Sequence, residues 1–458
     1  MGNDTSRQTV LFPDLAHKAI VAKFDQPQAS SDGGAVLLKA CDHSLGLTAA
    51  LARCMQDRRQ PGKVRHDFDE LLRQRVFGIA NGYADANDAG RLADDPIHKL
   101  LVGRDPVNGD TLASQPTLSR FENAADTKTL YRMAATLAET VIERHRRRLR
   151  GKAKRITVDL DPTDDPTHGA QQLTFFNGHY NTWCYLPVAG FVTFDDEPEQ
   201  YLVAYVLRPG NAPAQLGAAG ILKRLLGRLR QAFPYAQLRV RLDGGFASPE
   251  MFELLDAQRV KYVVAMARNE VLKRHAEPLM QVAREMTAKS EQTEHVYGEC
   301  TYAARSWGRE RRVIIKAEVV RLSGRQPRDN PRFVVTNFRH SPRRVYEELY
   351  CARGEIENRI KELHHGLEID RTSCTRFWAN QLRVLLTAAA YALMQELRLR
   401  AHGTCCARSQ VSTLRDRLLK LGVWIETSVR RIVLHMPIGA PFADEWRRIA
   451  RSVGAVPA

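Results

Sequence analysis

The chain has 458 residues and carries 68 Lys and Arg against 52 Asp and Glu, which gives a formal net charge of +16 at pH 7. Its hydrophobic fraction of 44% and charged fraction of 26% are those of an ordinary globular protein. The length predicts about two to four domains. An excess of positive charge attracts polyanions, and nucleic acid is the polyanion that such proteins most often meet.

The cysteine pattern and the apolar runs exclude several classes of protein. The eight cysteines are scattered and none forms a C-x-x-C pair, so neither a disulfide framework nor a zinc ribbon is indicated. The longest strongly apolar run, Val384 to Met394, is too short to cross a bilayer and predicts a buried helix. The first residues lack the pattern of a signal peptide. We therefore expect a protein of the reducing cytosol with no membrane segment.

The first 150 residues predict a mainly helical region that follows an irregular lead of about 30 residues. Asp67 to Ala80 carries an apolar stripe with helical spacing. The segment from Ser114 to Arg120 has the cap residue and the first-turn proline of a helix start. This helix fits two interpretations, the recognition helix of a helix-turn-helix motif and ordinary packing.

A predicted strand that ends in acids lies within Arg155 to Gln172. Apolar and polar residues alternate from Ile156 onwards, so Asp159 and Asp161 share one face of the strand. Turn residues follow from Pro162, which ends the strand at its acidic tip. Carboxylates at such a tip suit a hard cation such as Mg²⁺. A solvated acidic turn is the alternative interpretation.

The chain then alternates between predicted strands and helices, which indicates an α/β sheet with at least some parallel strands. A second strand tip ends on Asp243, before Gly244 and Gly245. The predicted strands are Trp183 to Thr193, Gln200 to Leu207, Gln237 to Asp243 and Lys261 to Ala267, and the predicted helices are Gly217 to Phe233 and the segment after Ser248 up to Ala257.

Residues 269–332 predict a mainly β insertion, with one charged helix from Leu279 to Lys289. A strand, Phe333 to Asn337, and a helix from Ser341 to Gly366 follow. The spacing of the polar residues on this helix predicts one shared face. That face carries Tyr350, Arg353, Glu357, Lys361 and His364. A plain surface of salt bridges is the alternative interpretation.

Three motifs together resemble the DDE transposases of bacterial insertion sequences, in the subgroup that has a Y-x-x-R-x-x-x-E signature and a β-rich insertion. The resemblance extends over roughly residues 155 to 400 and implies a catalytic domain with the ribonuclease H fold. The motifs are Asp161-Pro-Thr163, Leu242-Asp243-Gly-Gly-Phe246 and Tyr350-x-x-Arg353-x-x-x-Glu357.

By this resemblance, Asp161, Asp243 and Glu357 are the catalytic acids and the ligands of two Mg²⁺ ions, for which Mn²⁺ can substitute. Asp159 is a second candidate for the first acid. The implied reaction is metal-dependent cleavage of a DNA strand followed by strand transfer, as in cut-and-paste transposition. The implied partners are double-stranded DNA, as terminal inverted repeats and as target, and a second copy of the chain in a synaptic complex.

Five residues are expected to contact DNA: Tyr350, Arg353, Lys361 and His364 by the resemblance, and Arg120 on the predicted N-terminal helix. The subgroup usually has Lys seven residues after the Glu, where this chain has His364. A bacterial, cytoplasmic and nucleoid-associated protein is implied. Two alternatives stay open, a non-catalytic DNA-binding protein derived from a transposase and a ribonuclease H-like nuclease that does not join strands.

The expected fold class is α/β, a ribonuclease H-like mixed sheet with a β-rich insertion, an α-helical region before it and helices after it. The expected division is a DNA-binding and dimerisation region (1–150), the first part of the catalytic domain (151–268), the insertion (269–332), the rest of the catalytic domain (333–400) and a C-terminal region (401–458).

Overall fold

The computed structural model describes residues 10–457 of the chain. The first nine residues of the predicted irregular lead and the last residue of the C-terminal region lie outside them. Within the lead, short strands β1 (Val10–Phe12) and β2 (Ile20–Ala22) pair with each other in antiparallel fashion, and β3 (Ala29–Ser30) follows.

The helical N-terminal region that the sequence predicts is present. Two of its longer helices begin at capping residues, since the side chains of Asp67 and Asp126 accept hydrogen bonds from the backbone N–H groups of Glu70 and Thr129. Ser114 stands at the predicted cap position, but its side chain makes no capping bond. The helices are α1 (Val36–Leu45), α2 (Leu47–Ala52), α3 (Phe68–Ala80), α4 (Ala86–Arg91), α5 (Pro96–Val102), α6 (Gln115–Glu122) and α7 (Thr127–Arg148).

A mixed central sheet follows. The strands predicted at Gln200 to Leu207, Gln237 to Asp243 and Lys261 to Ala267 are present, whereas the segment predicted as one strand, Trp183 to Thr193, is divided between two strands in different sheets. The elements, with a small separate sheet of β5, β7 and β6, are β4 (Arg155–Pro162), β5 (Asp165–Pro166), β6 (Phe175–Asn177), β7 (Thr182–Tyr185), β8 (Val188–Phe194), β9 (Tyr201–Val206), α8 (Ala218–Ala232), β10 (Gln237–Leu242), α9 (Pro249–Ala257) and β11 (Lys261–Met266). In the central sheet, β4, β8 and β9 are successive antiparallel neighbours, whereas β10 lies parallel to β4 and β11 parallel to β10.

The predicted insertion contains as much helix as strand rather than being mainly β, with one helix of 21 residues beside strands of 9, 10 and 2 residues. Its helix begins at Glu270 rather than near Leu279, because the side chain of Asn269 caps it by accepting a hydrogen bond from the Leu272 N–H at 2.9 Å. The strands extend the central sheet, since β13 pairs with β15 and β15 pairs with β11. The elements of the insertion are α10 (Glu270–Ser290), β12 (Glu294–Tyr302), β13 (Arg311–Val320) and β14 (Arg328–Asp329), and β15 (Arg332–Thr336) is the strand predicted to follow it from Phe333 to Asn337.

The helix predicted from Ser341 to Gly366 changes pitch along its length. It consists of α11 (Pro342–Arg344), a π-helical turn (Val345–Tyr350), a 3₁₀ turn (Cys351–Gly354) and α12 (Glu355–Leu367). The helix passes Gly366 and ends where Glu368 takes a left-handed conformation, with φ of 51°. The next helix, α13 (Phe377–Arg400), is buried along most of its length, which confirms the buried helix predicted around Val384 to Met394.

Helices are present after residue 400 as expected, and this region also contains a hairpin that the sequence did not predict. Its strand β16 pairs with β17 and with β3, so the hairpin is completed by the start of the chain. The elements are α14 (Val411–Leu414), a π-helical turn (Arg415–Leu419), β16 (Val423–Thr427), β17 (Ile432–His435) and α15 (Ala443–Ser452). No helix among residues 10–457 combines the length and the apolar character needed to cross a membrane.

Candidate active site

Two predicted acids lie at the carboxyl ends of two neighbouring strands inside the central sheet. Strands β4 and β10 run parallel with Leu160 beside Leu242, so the residues that follow, Asp161 and Asp243, are neighbours at the carboxyl ends of the two strands. Asp161 is only 9% exposed. Asp243 begins a 3₁₀ turn, and its Oδ1 accepts a hydrogen bond from the Gly245 N–H at 2.9 Å.

Arg353 connects the late helical segment to these two acids. Its Nη2 contacts Oδ1 of Asp161 and lies 3.9 Å from Oδ2 of Asp243. Both carboxylates therefore surround a single guanidinium nitrogen. The Nε of Arg353 is buried and has no hydrogen-bond partner within the part of the chain that the structure describes.

The third predicted acid, Glu357, is near enough for its charge to affect the pKa of Asp161. Burial raises the pKa of Asp161 to about 7, the charges of Asp243 and Glu357 act in the same direction, and Arg353 opposes them. Glu357 itself is exposed in the first turn of α12. Within residues 10–457, no three His, Cys, Asp or Glu side chains lie close enough together to form a ready-made metal centre.

Asp159, the second candidate for the first acid, is engaged elsewhere. Its fully buried carboxylate accepts hydrogen bonds from Arg241 Nε at 2.7 Å and Nη2 at 2.6 Å, and a third from Gln200 Nε2 at 3.0 Å. Two-point contact with a guanidinium is a strong and directional interaction. Asp161 lies two residues further along the same face, at the carboxyl end of β4.

The other predicted DNA-contacting residues lie in different surroundings. Tyr350 is half-buried and packs against Tyr346 at 5.4 Å between ring centroids; burial raises the pKa of Tyr350, and Arg353 opposes that shift. Lys361 is exposed. His364 is half-buried, with its Nδ1 3.3 Å from Asp370 Oδ2. Arg120 is exposed on α6, in the N-terminal region.

Two residues near the acids were missed in the sequence. Burial raises the pKa of Tyr180 to about 12, with Asp164, Asp161 and Asp243 acting in the same direction. Burial lowers the pKa of Arg208 to about 10, while the charge of Asp243 opposes that shift. Neither residue stands in a motif, because Tyr180 lies in a turn between β6 and β7 and Arg208 follows a strand. Only the folded chain brings them close to the acids.

Arg208 binds backbone carbonyls of two loops near the site. Its Nε donates to the carbonyl of Leu186 at 2.7 Å, and its Nη1 donates to the carbonyls of Pro213, Ala214 and Leu216 at 3.0, 2.7 and 3.2 Å. A buried guanidinium needs such partners, since leaving it unpaired costs free energy. These bonds join the loop after β9 to the connection between β7 and β8.

The fold and the site define an α/β protein with carboxylates at the tips of neighbouring parallel strands, a set of hard oxygen donors suited to divalent cations. Comparison with known families identifies it further. The family described as transposase DDE domain, group 1, matches residues 12–457. This match covers nearly the whole chain, so the chain belongs to that family of DDE transposases, and the resemblance predicted from the three motifs is confirmed. No curated protein sequence matches the chain.

Proposed function

We propose that this protein binds the ends of its own mobile element and catalyses cut-and-paste transposition, with Asp161, Asp243 and Glu357 as the catalytic acids. The observation that carries the proposal is the contact of one Arg353 nitrogen with the carboxylates of Asp161 and Asp243. Membership of the DDE transposase family supports DNA as the substrate.

The proposal includes a ribonuclease H-like catalytic domain. Three antiparallel strands, β4, β8 and β9, are continued by the parallel strands β10 and β11 on the other side of β4. The first and the fourth of these strands in chain order carry Asp161 and Asp243. This strand order supports the proposed fold because both acids lie at the carboxyl ends of neighbouring strands.

We propose that Asp161, Asp243 and Glu357 hold two Mg²⁺ ions, for which Mn²⁺ can substitute. The donor set fits these ions, since carboxylate oxygens are the ligands that Mg²⁺ prefers and the site already accommodates the positive charge of Arg353. Bound divalent cations would activate water for attack on a phosphodiester and stabilise the leaving oxygen. A freed 3′-hydroxyl would replace the water during strand transfer.

The residues of the chain itself would orient the DNA. The planar fork of Arg353 suits a backbone phosphate, and Tyr350, half-buried beside it, would restrict the position of the strand. Lys361 and His364 continue along α12, and Arg120 belongs to the N-terminal region. These contacts would fix the position of the DNA rather than read its bases.

We propose a homodimer in a synaptic complex with the inverted repeats and target DNA, in the bacterial cytoplasm and in association with the nucleoid. The proposed division is an N-terminal region for DNA binding and dimerisation (1–150), a catalytic domain (151–268 and 333–400) around an insertion (269–332), and a C-terminal region (401–458).

The test uses the full-length protein with Mg²⁺ and DNA that carries the element's own ends. We expect Asp243→Asn and Glu357→Gln to lower the cleavage rate by at least about 100-fold, since each removes a ligand charge. Glu355→Gln is the matched control, because Glu355 is exposed in the same helical turn but is not one of the proposed acids. Unchanged end cleavage by Asp243→Asn would show that the proposed site is wrong.

The same reaction separates the alternatives. Cleavage followed by joining to a target supports transposition, whereas cleavage without joining would assign the protein to the nucleases. Binding of the ends without cleavage by the unaltered protein would assign it to the non-catalytic DNA-binding proteins.

A further inference from the structure

A basic cleft lies in the N-terminal region between the loop after α2 and the helices α6 and α7. Its volume is about 970 Å³. Its lining includes seven Lys or Arg residues, all exposed, and a single acid, Asp126. The cations come from all three elements, among them Arg58, Lys63, Arg65, Arg120, Lys128 and Arg132.

The single acid does not offset this charge within the cleft. The carboxylate of Asp126 caps α7 by accepting a hydrogen bond from the Thr129 N–H at 2.7 Å. That carboxylate is therefore engaged with the positive end of a helix. The cleft is left with a strong excess of positive charge, which favours a polyanion.

The walls of the cleft are held in place by contacts of their own. Arg59 bonds through its Nε to Asp57 Oδ1 at 2.8 Å, and its guanidinium lies 4.6 Å from the ring centroid of Phe68. Phe68 in turn packs edge-on against Phe121 of α6, with 5.5 Å between centroids. The loop and α6 are thus connected by contacts between side chains.

A second connection joins the loop to α7. Arg132 donates from Nη2 to the carbonyl of Cys54 at 2.8 Å. On α6, Arg120 donates from Nη2 to Thr117 Oγ1 at 3.2 Å, and both residues line the cleft. The opposite face of α6 is buried through Leu118 and Phe121. Helix α6 therefore forms one wall of the cleft. Its exposed side faces the same cleft as the basic residues of the loop and of α7.

We infer that this cleft binds the sugar-phosphate backbone of duplex DNA without reading its sequence. The inference rests on the proposed function for the choice of DNA, and on the cleft itself for the mode of binding. Lys and Arg contacts to phosphates supply affinity and fix the position of a duplex, whereas base contacts need an element that enters a groove. The hydroxyls of Ser114 and Thr117, which also line the cleft, add neutral donors for phosphate oxygens.

The test measures binding of the full-length protein to a labelled random-sequence duplex in EDTA, over a range of salt concentrations. The triple variant Arg58→Ala, Lys63→Ala, Lys128→Ala removes exposed cations from the loop and from α7. We expect weaker binding to every duplex and a slope of log K against log salt that is shallower by roughly 2.7, at about 0.9 for each lost phosphate contact.

The control removes the same charge from other surfaces through Lys289→Ala, Arg325→Ala and Arg430→Ala, all at exposed positions. Equal slopes for the two triple variants would overturn the inference, provided that both keep the thermal unfolding midpoint of the unaltered protein. A loss confined to duplexes that carry the element's ends would overturn sequence-independent binding, and a loss seen with duplex RNA but not with duplex DNA would overturn the choice of DNA.

Failure of this inference differs from failure of the proposed function. Asp243→Asn leaves the cleft intact, so it is expected to keep the unaltered salt slope while it loses end cleavage. If the cleft variant binds DNA normally and Asp243→Asn has lost end cleavage, only the inference about the cleft is contradicted. If Asp243→Asn still cleaves the ends, only the proposed catalytic site is contradicted.

Discussion

Gly245 is a position where the absence of a side chain shapes the acid site. A Cβ at this residue would lie 2.7 Å from the Cβ of Ala214 and 3.3 Å from Oδ1 of Asp243. The N–H of Gly245 donates to that same oxygen. At Gly244, by contrast, the nearest atoms to an added Cβ are 3.8 Å away, an ordinary contact distance.

We therefore predict that Gly245→Ala lowers end cleavage by about tenfold or more and costs about 1–3 kcal/mol of unfolding free energy, because overpacking moves the turn that carries Asp243. Gly244→Ala is the control and is expected to change either quantity little. Cleavage assays and chemical denaturation of both variants make the comparison, and equal behaviour of the two would contradict the steric argument.

Asp165 gives a pH dependence that is separate from the acids of the site. Burial raises the pKa of its carboxyl well above the ordinary value, a hydrogen bond from Thr372 opposes this, and the charges of Asp370 and Asp164 add to it. The folded state therefore binds a proton that the unfolded chain releases near pH 3.9. The resulting stabilisation is complete below that pH and is lost as the pH rises towards the pKa in the folded state.

The variant Asp165→Asn cannot ionise, so we predict that it gains stability relative to the unaltered protein as the pH rises above about 4. Denaturation midpoints of both proteins at several pH values between 4 and 8 measure this gain. Asp94→Asn, at an exposed position, is the control. A stability difference between Asp165→Asn and the unaltered protein that stays constant with pH would rule out the proposed linkage.

The acids themselves were predictable from sequence, but the choice between Asp159 and Asp161 was not fixed by alternation alone. Both residues share one strand face, so the pattern treats them alike. What distinguishes them is Arg241, which lies opposite Asp159 only because β10 pairs with β4 in this register. Side-chain pairing across strands depends on register, which a single sequence does not specify at this distance.

At the scale of elements, α12 carries Glu357, and a buried acid anchors this helix. Glu362 accepts hydrogen bonds from Tyr391 Oη at 2.7 Å, the Val411 N–H at 2.8 Å and Arg359 Nη1 at 3.0 Å, and it also pairs with Arg398. Its side chain is 2% exposed and that of Arg398 is 4% exposed. This network connects α12 to α13 and α14.

Removing one partner of a buried ion pair leaves the other charge uncompensated, which costs about 3–5 kcal/mol. We predict a loss of that size for Glu362→Ala, together with weaker end cleavage because α12 is less firmly held. The control is Glu348→Ala, whose partner Arg344 lies 2.9 Å away in a pair that is more than half exposed and is expected to contribute about 0–1 kcal/mol. Urea denaturation compares the two, and similar losses would exclude an anchoring role for Glu362.

The change of helical pitch before α12 could not be predicted from the sequence pattern. Polar residues at helical spacing predicted one continuous helix, and the segment is helical throughout, but it passes through a π-helical and a 3₁₀ turn. Gly354 weakens the α-helical preference at the end of the 3₁₀ turn. Of the residues predicted to share one face, Arg353 is the one that contacts Asp161.

At the scale of the whole molecule, the two ends of the chain are joined. Strand β16 pairs with β3, and the Gly33 N–H donates to the carbonyl of Leu421 at 2.8 Å. Buried Asp32 bonds to His98 Nε2 at 2.9 Å and to Lys420 Nζ at 2.8 Å. Strand β16 alternates buried and exposed residues but was not predicted from the sequence, and its partner β3 has only two residues and carries no recognisable pattern.

Gly34 lies at the closest approach between these ends. A Cβ at this position would overlap the backbone carbonyl of Leu418, whereas an added Cβ at Gly308 would meet no atom within 4 Å. A backbone oxygen cannot rotate aside as a flexible side chain can. The clash is therefore relieved only by separating the start of the chain from the turn that precedes β16.

We predict that Gly34→Ala lowers the unfolding free energy by more than about 3 kcal/mol, the range associated with overpacking against buried backbone. Faster proteolysis of the N-terminal helices is expected with it, and weaker DNA binding through the basic cleft that these helices form. Gly308→Ala should match the unaltered protein in both measurements. Loss of stability without faster cleavage of residues 30–150 would show that the N-terminal helices hold together without the C-terminal hairpin.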